Sequence, residues 1–257
     1  MLYSSLQAEW KKSRHTFAST LIFSGAFLVP VVSFLIYFFR WQHFIPDHGT
    51  NAWNEFIDMN LSLSAGLLFP FLVILIVALN LMLENKADSW KRLYILPIRR
   101  ETLFWGKLLF LAIQLFCCTV LFFITIPLTG IILGLIHPEL AFLNHSLDIV
   151  FLLTLSIRFY ISLLAILSIQ YFISLAFSNI IVPIATGMML IIVSIIVVQG
   201  WNQAYYDPYA FSILLSREDM VDIPTWFGRP RTELLSIGYF SLISLGAMVY
   251  FKQKQVK

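Results

Sequence analysis

The sequence predicts an all-α membrane protein with six transmembrane helices. Three observations predict it. Of the 257 residues, 59% are hydrophobic and 12% are charged, where a soluble domain runs at about 45–50% and about 25%. Mean hydropathy is +0.83. The apolar residues are gathered into six runs that reach, or nearly reach, the roughly 20 residues a helix needs to cross a bilayer core. This composition excludes a soluble globular domain, a disordered chain and a disulfide scaffold. Continuous runs, rather than alternating segments of about 10 residues, exclude a β-barrel. A formal charge of only +3 leaves no footprint for nucleic acid.

The whole chain reads as one membrane-embedded domain, 1–257. It begins with a segment, 1–15, in which Tyr3, Leu6 and Trp10 recur on one helical face while Lys11 and Lys12 lie on or beside the opposite one. That is the pattern of an amphipathic helix lying on a membrane surface. The spans follow as Thr16–Phe39, Leu61–Leu83, Leu108–Ile136, Ile149–Phe177, Ile180–Gln199 and Leu234–Phe251. The first is too long for the apolar region of a signal peptide and is expected to stay as an anchor. Pro30, Pro70 and Pro127 lie inside the first three spans and are expected to kink them. Ser178-Asn179 is the only polar break between spans four and five, which predicts a tight helical hairpin. Gly130 and Gly134 form a small-xxx-small pair suited to close approach. Cys117 and Cys118, adjacent in span three, are expected to be buried thiols.

Charge orients the bundle. With the N-terminus in the cytoplasm, 12 of the 17 basic residues and 4 of the 14 acids lie inside, a net +8. The outer side carries the remaining five basic residues and ten acids, a net −5. This satisfies the positive-inside rule and places both termini in the cytoplasm. The expected location is the cell membrane, inner or plasma, as a multi-pass protein.

No catalytic pattern accompanies the spans. The sequence has no His-Glu-x-x-His, no Gly-x-Ser-x-Gly elbow and no phosphate-binding loop. No enzyme activity and no metal or cofactor bound by this chain are expected. Arg158 is the one ionisable residue within a span. Two readings stay open for it. Either it sits at the outer interface, with Asp148–Ile157 forming an amphipathic or re-entrant segment, or it is buried and paired as a pathway or interface charge. Asn80, Gln114 and Gln170 are explained by hydrogen bonds between helices.

The segment 84–107 is the longest connection on the inner side, ENKADSWKRLYILPIRRETLFWGK. Ala87, Trp90, Leu93 and Tyr94 share a helical face, with Lys91 and Arg92 elsewhere, and Pro97 ends that short helix and starts the next. Glu101 then falls in the first turn of the following helix, where negative charge is favoured. An apolar face at a membrane surface must be covered by lipid or by a partner. The outer segment 200–233 holds Trp201, Tyr205, Tyr206, Tyr209, Phe211, Trp226 and Phe227, read equally as a lid or as an interfacial aromatic belt.

The six-span plan, the start with Glu9-Trp10-Lys11-Lys12, and the inner loop with Glu84, Trp90-Lys91 and Leu96-Pro97 resemble the permease subunits of type-2 ATP-binding-cassette exporters. Among these the chain is similar to the permeases of lantibiotic and bacteriocin immunity systems. The resemblance implies a pair of membrane subunits, this one with a second copy or a different permease, and two copies of a cytoplasmic ATPase subunit that holds the ATP and Mg. It implies an amphipathic elbow on membrane lipid at Tyr3, Leu6, Trp10, Lys11 and Lys12. It also implies a coupling helix after span two. There Trp90, Leu93 and Tyr94 would be apolar anchors in contact with the ATPase, with Lys91, Arg92 and Pro97 in the same loop and Glu84 at its base. The expected function is ATP-driven export of an amphipathic or lipid-associated substrate, an antimicrobial peptide among them. The alternatives are a non-transporting membrane scaffold and a secondary carrier that uses Arg158 as counter-ion.

Overall fold

The computed structural model describes residues 2–13, 17–46, 50–86, 100–201, 203–217, 225–226 and 229–253. Six helices among these are long and apolar enough to cross a membrane. In chain order the helices are α1 (Leu2–Ser13), α2 (Phe17–Phe39), α3 (Ala52–Leu63), α4 (Phe69–Lys86), α5 (Arg100–Ile136), α6 (Ile149–Ala176), α7 (Ile181–Gly200), α8 (Phe211–Ser216) and α9 (Arg231–Gln253). A single π-helical turn, Ser64–Leu68, joins α3 to α4, so the two make one span, Ala52–Met82. Two two-residue strands, β1 (Thr225–Trp226) and β2 (Arg229–Pro230), pair antiparallel just before α9. The spans alternate in direction. One end of the bundle, here the basic end, carries Lys11, Lys12, Arg100, Lys107 and Lys252, and the far end carries Glu55, Asp58, Glu139, Asp148, Asp207 and Glu233.

Two of the helices that carry spans start earlier in the chain than the apolar runs. The second span begins at Ala52 rather than Leu61. Asn54, Glu55, Asp58 and Asn60 interrupt the apolar run, yet α3 is amphipathic and buries Trp53, Phe56, Ile57, Asn60 and Leu61. Asn51 caps it by accepting a hydrogen bond from the Trp53 amide at 3.0 Å. The helix that carries the third span begins at Arg100, before the apolar run from Leu108, and has 37 residues, about 55 Å at 1.5 Å per residue. That exceeds a hydrocarbon core of about 30 Å, so α5 extends beyond the apolar layer. Glu101 falls in its first turn, as expected.

The π turn has a local cause. Pro70 has no amide hydrogen and cannot donate back along the helix. The Phe69 amide reaches back to the Ser64 carbonyl, a five-residue step. The Ala65 carbonyl is taken by the Ser212 hydroxyl of α8 at 2.9 Å. The wide turn is thus satisfied from outside its own helix, as helix irregularities in apolar surroundings require. Ser33 of α2 donates to Asn60 at 2.9 Å with both side chains fully buried, which ties the first span to the second.

The core runs along α4, α5 and α6, where Phe69, Phe122 and Phe159 form an edge-to-face aromatic cluster. Helix α9 packs along α6 and α2 along α5. The hairpin between spans four and five is as expected: α6 ends at Ala176, α7 starts at Ile181, and Asn179 accepts from the Ile181 amide at 3.0 Å. The cysteines correct the reading in part. Cys118 is buried and donates to the Ile22 carbonyl, but Cys117 is exposed on the helix surface. Neighbouring positions on a helix are about 100° apart, so one faces the bundle and the other away from it.

The Gly130–Gly134 pair serves a contact within the chain. A Cβ on Gly130 would stand 2.4 Å from the Trp53 ring, and one on Gly134 would stand 3.0 Å from Phe142. Trp53 cannot retreat easily, because its indole donates to the Phe142 carbonyl at 3.0 Å. Gly130→Ala is therefore expected to lose about 1–3 kcal/mol by overpacking. Gly238→Ala, where a Cβ meets open space, is expected to be neutral or slightly stabilising. Melting temperatures of the two purified variants check this.

Candidate functional site

Two regions combine polar chemistry with a defined geometry. The first is the basic end. Helix α1 presents Leu6, Glu9 and Ser13 towards the bundle, while Trp10, Lys11 and Lys12 are exposed. Glu9 forms an ion pair with Lys107 of α5 at 3.1 Å, with side-chain exposures of 17% and 6%. Ser13 accepts a hydrogen bond from Gln114 at 3.0 Å, and Gln114 accepts from Asn80 of α4 at 3.2 Å. This chain of buried polar groups locks α1 to α5 and α5 to α4. At the start of α5, Glu101 pairs with Lys252 of α9 at 2.5 Å, and Arg100 donates to the Lys252 carbonyl at 2.9 Å. The first turns of α5 are thereby fastened to both the first and the last helix.

The sequence reading placed the coupling residues here. Glu84 lies in the last turn of α4, and the segment 87–99 with Trp90, Lys91, Arg92, Leu93, Tyr94 and Pro97 lies outside the described residues. Of the elbow residues, Tyr3 and Trp10 fall within the helical α1, Leu6 is half-buried, and Trp10 is 59% exposed. Glu9, Ser13 and Lys107 were not singled out as partners. Lys107 stands beside the apolar run and Glu9 inside a basic patch, so no local pattern marks the pair. Beside it, Trp10, Ile22, Phe23, Ile113, Cys117 and their neighbours line an apolar cavity of about 490 Å³.

The second region is a cleft at the far end. Helix α6 is continuous from Ile149, and Asp148 caps it by accepting from the Phe151 amide at 2.9 Å. The helix therefore runs without a re-entrant break through Asp148–Ile157. The capped start lets the first turns continue straight into the span, so Arg158 projects from a regular helix. Its side chain is 23% exposed and forms an ion pair with Glu233 of α9, itself 10% exposed. Arg158 is thus paired within the chain, as the second of its two readings expects of the side chain. The partner was hard to see in sequence because 75 residues separate the two.

The cleft beside this pair has a volume of about 430 Å³ and lies between α3, α6 and α8. Asn54, Ile57, Asp58 and Leu61 come from one face of α3, and Asp148, Phe151, Leu155 and Arg158 from one face of α6. Leu215 and Ser216 close it from α8. Residues Tyr209 to Leu215 are buried against the bundle, whereas Trp201 is 67% exposed. Tyr209 accepts a hydrogen bond from Gln170 of α6 at 2.7 Å. Burial raises the Tyr209 phenol above its usual range, with the Asp207 carboxylate adding to the effect. Trp226 and Phe227 lie outside what is described at side-chain level. Among the described residues there is no group of three His, Cys, Asp or Glu placed to hold a metal ion.

Six apolar helices, long enough to cross a bilayer and with few charges within them, define a multi-pass membrane protein. Residues 5–194 match the family of ABC-2 family transporter proteins, and the chain belongs to that family. It is thus of the permease type, and such permeases generally work with a cytoplasmic ABC ATPase. No curated protein matches the sequence.

Proposed function

We propose that the chain is the membrane subunit of an ATP-driven exporter, paired with a second permease and powered by two cytoplasmic ATPase subunits. The basic end faces the cytoplasm, because its lysines and arginines satisfy the positive-inside rule. Residues 84–107 carry the docking surface, and α1 lies on the inner leaflet. ATP and Mg reside on the partner, since this sequence has no phosphate loop. The substrate is amphipathic or lipid-associated, which fits spans with few charged residues; a peptide of the lantibiotic or bacteriocin type is one such substrate.

The observation that carries this reading is the bracing of the first turns of α5. Lys107 holds Glu9, and Arg100 and Glu101 hold Lys252. A push on the segment before Arg100 would reach α1, α5 and α9 together, which a passive tether does not need. Arg158 already has Glu233 as its counter-ion, which favours a remote energy source over a carrier that uses Arg158 to bind an anion.

The test is co-purification from native membranes. The wild type is expected to retain an ATPase. The double substitution Trp90→Asp, Leu93→Asp is expected to lose it with an unchanged melting temperature, because desolvated aromatic and aliphatic anchors dominate such contacts. Retention of the ATPase by that variant removes the docking assignment. No ATPase with the wild type removes the pump reading in favour of a scaffold.

A further inference from the structure

We propose that the far-end cleft between α3, α6 and α8 binds amphiphiles bearing an organic cation, an ammonium or guanidinium group on an apolar body. Its role as a substrate site rests on the export reading above, but the binding itself does not.

Three features carry this. First, the cleft is two-sided in chemistry. Ile57, Leu61, Phe151, Leu155 and Leu215 supply an apolar wall, and Asn54, Asp58, Asp148, Arg158 and Ser216 supply polar groups. Its volume of about 430 Å³ lies in the range of small-molecule sites, roughly 300–1,000 Å³.

Second, its described groups carry a net negative charge however they pair among themselves. Among the described residues Arg158 is the one cation in the lining, against Asp58 and Asp148, and Glu233 stands behind it. Among the described residues, three carboxylates around one guanidinium leave a net of two negative charges. The charged residues next in sequence to the lining, Glu55 and Arg217, are both exposed and opposite in sign, so they cancel.

Third, the ion pair is built into the wall of a membrane bundle, where ionisable groups mark cavities and pathways. Glu233 is largely removed from solvent and holds Arg158, so the guanidinium offers little to an anion. Asp58 and Asp148 are exposed at the same cleft, within reach of an entering ligand. A bare metal ion would gain nothing from the apolar wall. A ligand with both parts would use all of the surface.

The experiment uses the full chain in nanodiscs of zwitterionic lipid, with empty nanodiscs subtracted. The probe is pentane-1,5-diamine dansylated at one end, compared with the same molecule acetylated at its free amine, which keeps the apolar body and loses the charge. The wild type is expected to bind the amine about tenfold more tightly than the acetylated probe, as two partly exposed charge contacts allow. The preference should shrink as salt is raised. Asp58→Asn with Asp148→Asn is expected to abolish the preference while leaving the weaker binding of the acetylated probe unchanged. Asparagine caps a helix as well as aspartate does, so the start of α6 is preserved. Equal binding of the two probes by the wild type, or a preference that survives in the double variant, overturns the proposal. ATPase is absent from this assay, so its failure leaves the exporter reading standing, and loss of ATPase co-purification leaves this result standing.

Discussion

Replacing Glu233 by alanine is expected to destabilise the protein by about 3 kcal/mol, the lower end for breaking a buried ion pair. The lower end applies because the Arg158 side chain keeps 23% of its exposure. The variant leaves a guanidinium in the bundle without the carboxylate that neutralises it, and a guanidinium cannot shed its proton. Arg158→Leu is expected to cost less, since a carboxyl group left behind can take up a proton and become neutral. Arg158→Leu combined with Glu233→Ala is expected to recover most of the loss, because removing both charges of a buried pair leaves neither one uncompensated. Melting temperatures of the four proteins in one detergent give the cycle. At this chain length about 1 kcal/mol corresponds to roughly 2–4 °C. Equal stabilities for wild type and Glu233→Ala would show that the pair adds nothing.

Glu9→Ala is expected to cost about 3 kcal/mol and to release α1. Lys107 is the more buried partner, at 6% exposure against 17% for Glu9. Losing the carboxylate leaves the ammonium enclosed. Lys107→Met is expected to cost only about 1 kcal/mol, because Glu9 has more access to water and the methionine fills the space of the lysine stem. Limited proteolysis reads the release directly: cleavage near the N-terminus should rise in Glu9→Ala and change little in Lys107→Met. The opposite order would show that α1 is held by its apolar contacts and by Ser13–Gln114 rather than by the ion pair.

These two pairs mark the boundary of what the sequence reveals. The six spans were legible because hydrophobic length is a local property. The helical N-terminal segment was legible because amphipathic spacing is local too. The first half of the second span was not. Asn54, Glu55, Asp58 and Asn60 lower its mean hydropathy, and only the packed structure shows that Trp53, Phe56 and Ile57 face inward. Arg158 was visible as an exception, but its partner was not, because the contact depends on how α6 lies against α9. Gln114 was expected to bond between helices, and it does, with both Ser13 and Asn80. Which helices it joins depends on the packing. Exposure of Cys117 beside a buried Cys118 likewise follows from helix orientation, which an apolar run with no polar face leaves unmarked.

The π turn at Ser64–Leu68 acts as a phase shifter between the two halves of the second span. One extra residue in a helix advances everything after it by about 100° around the axis. Above the turn, the α3 face that carries Asn54, Asp58 and Leu61 is aimed into the cleft. Below it, α4 turns Val73, Ile74, Val77 and Leu81 into the core. A helix without the turn could align one of these faces or the other. The span can therefore serve a polar cleft at one end and an apolar core at the other, and the hydroxyl of Ser212, borrowed from α8, holds the two settings in register.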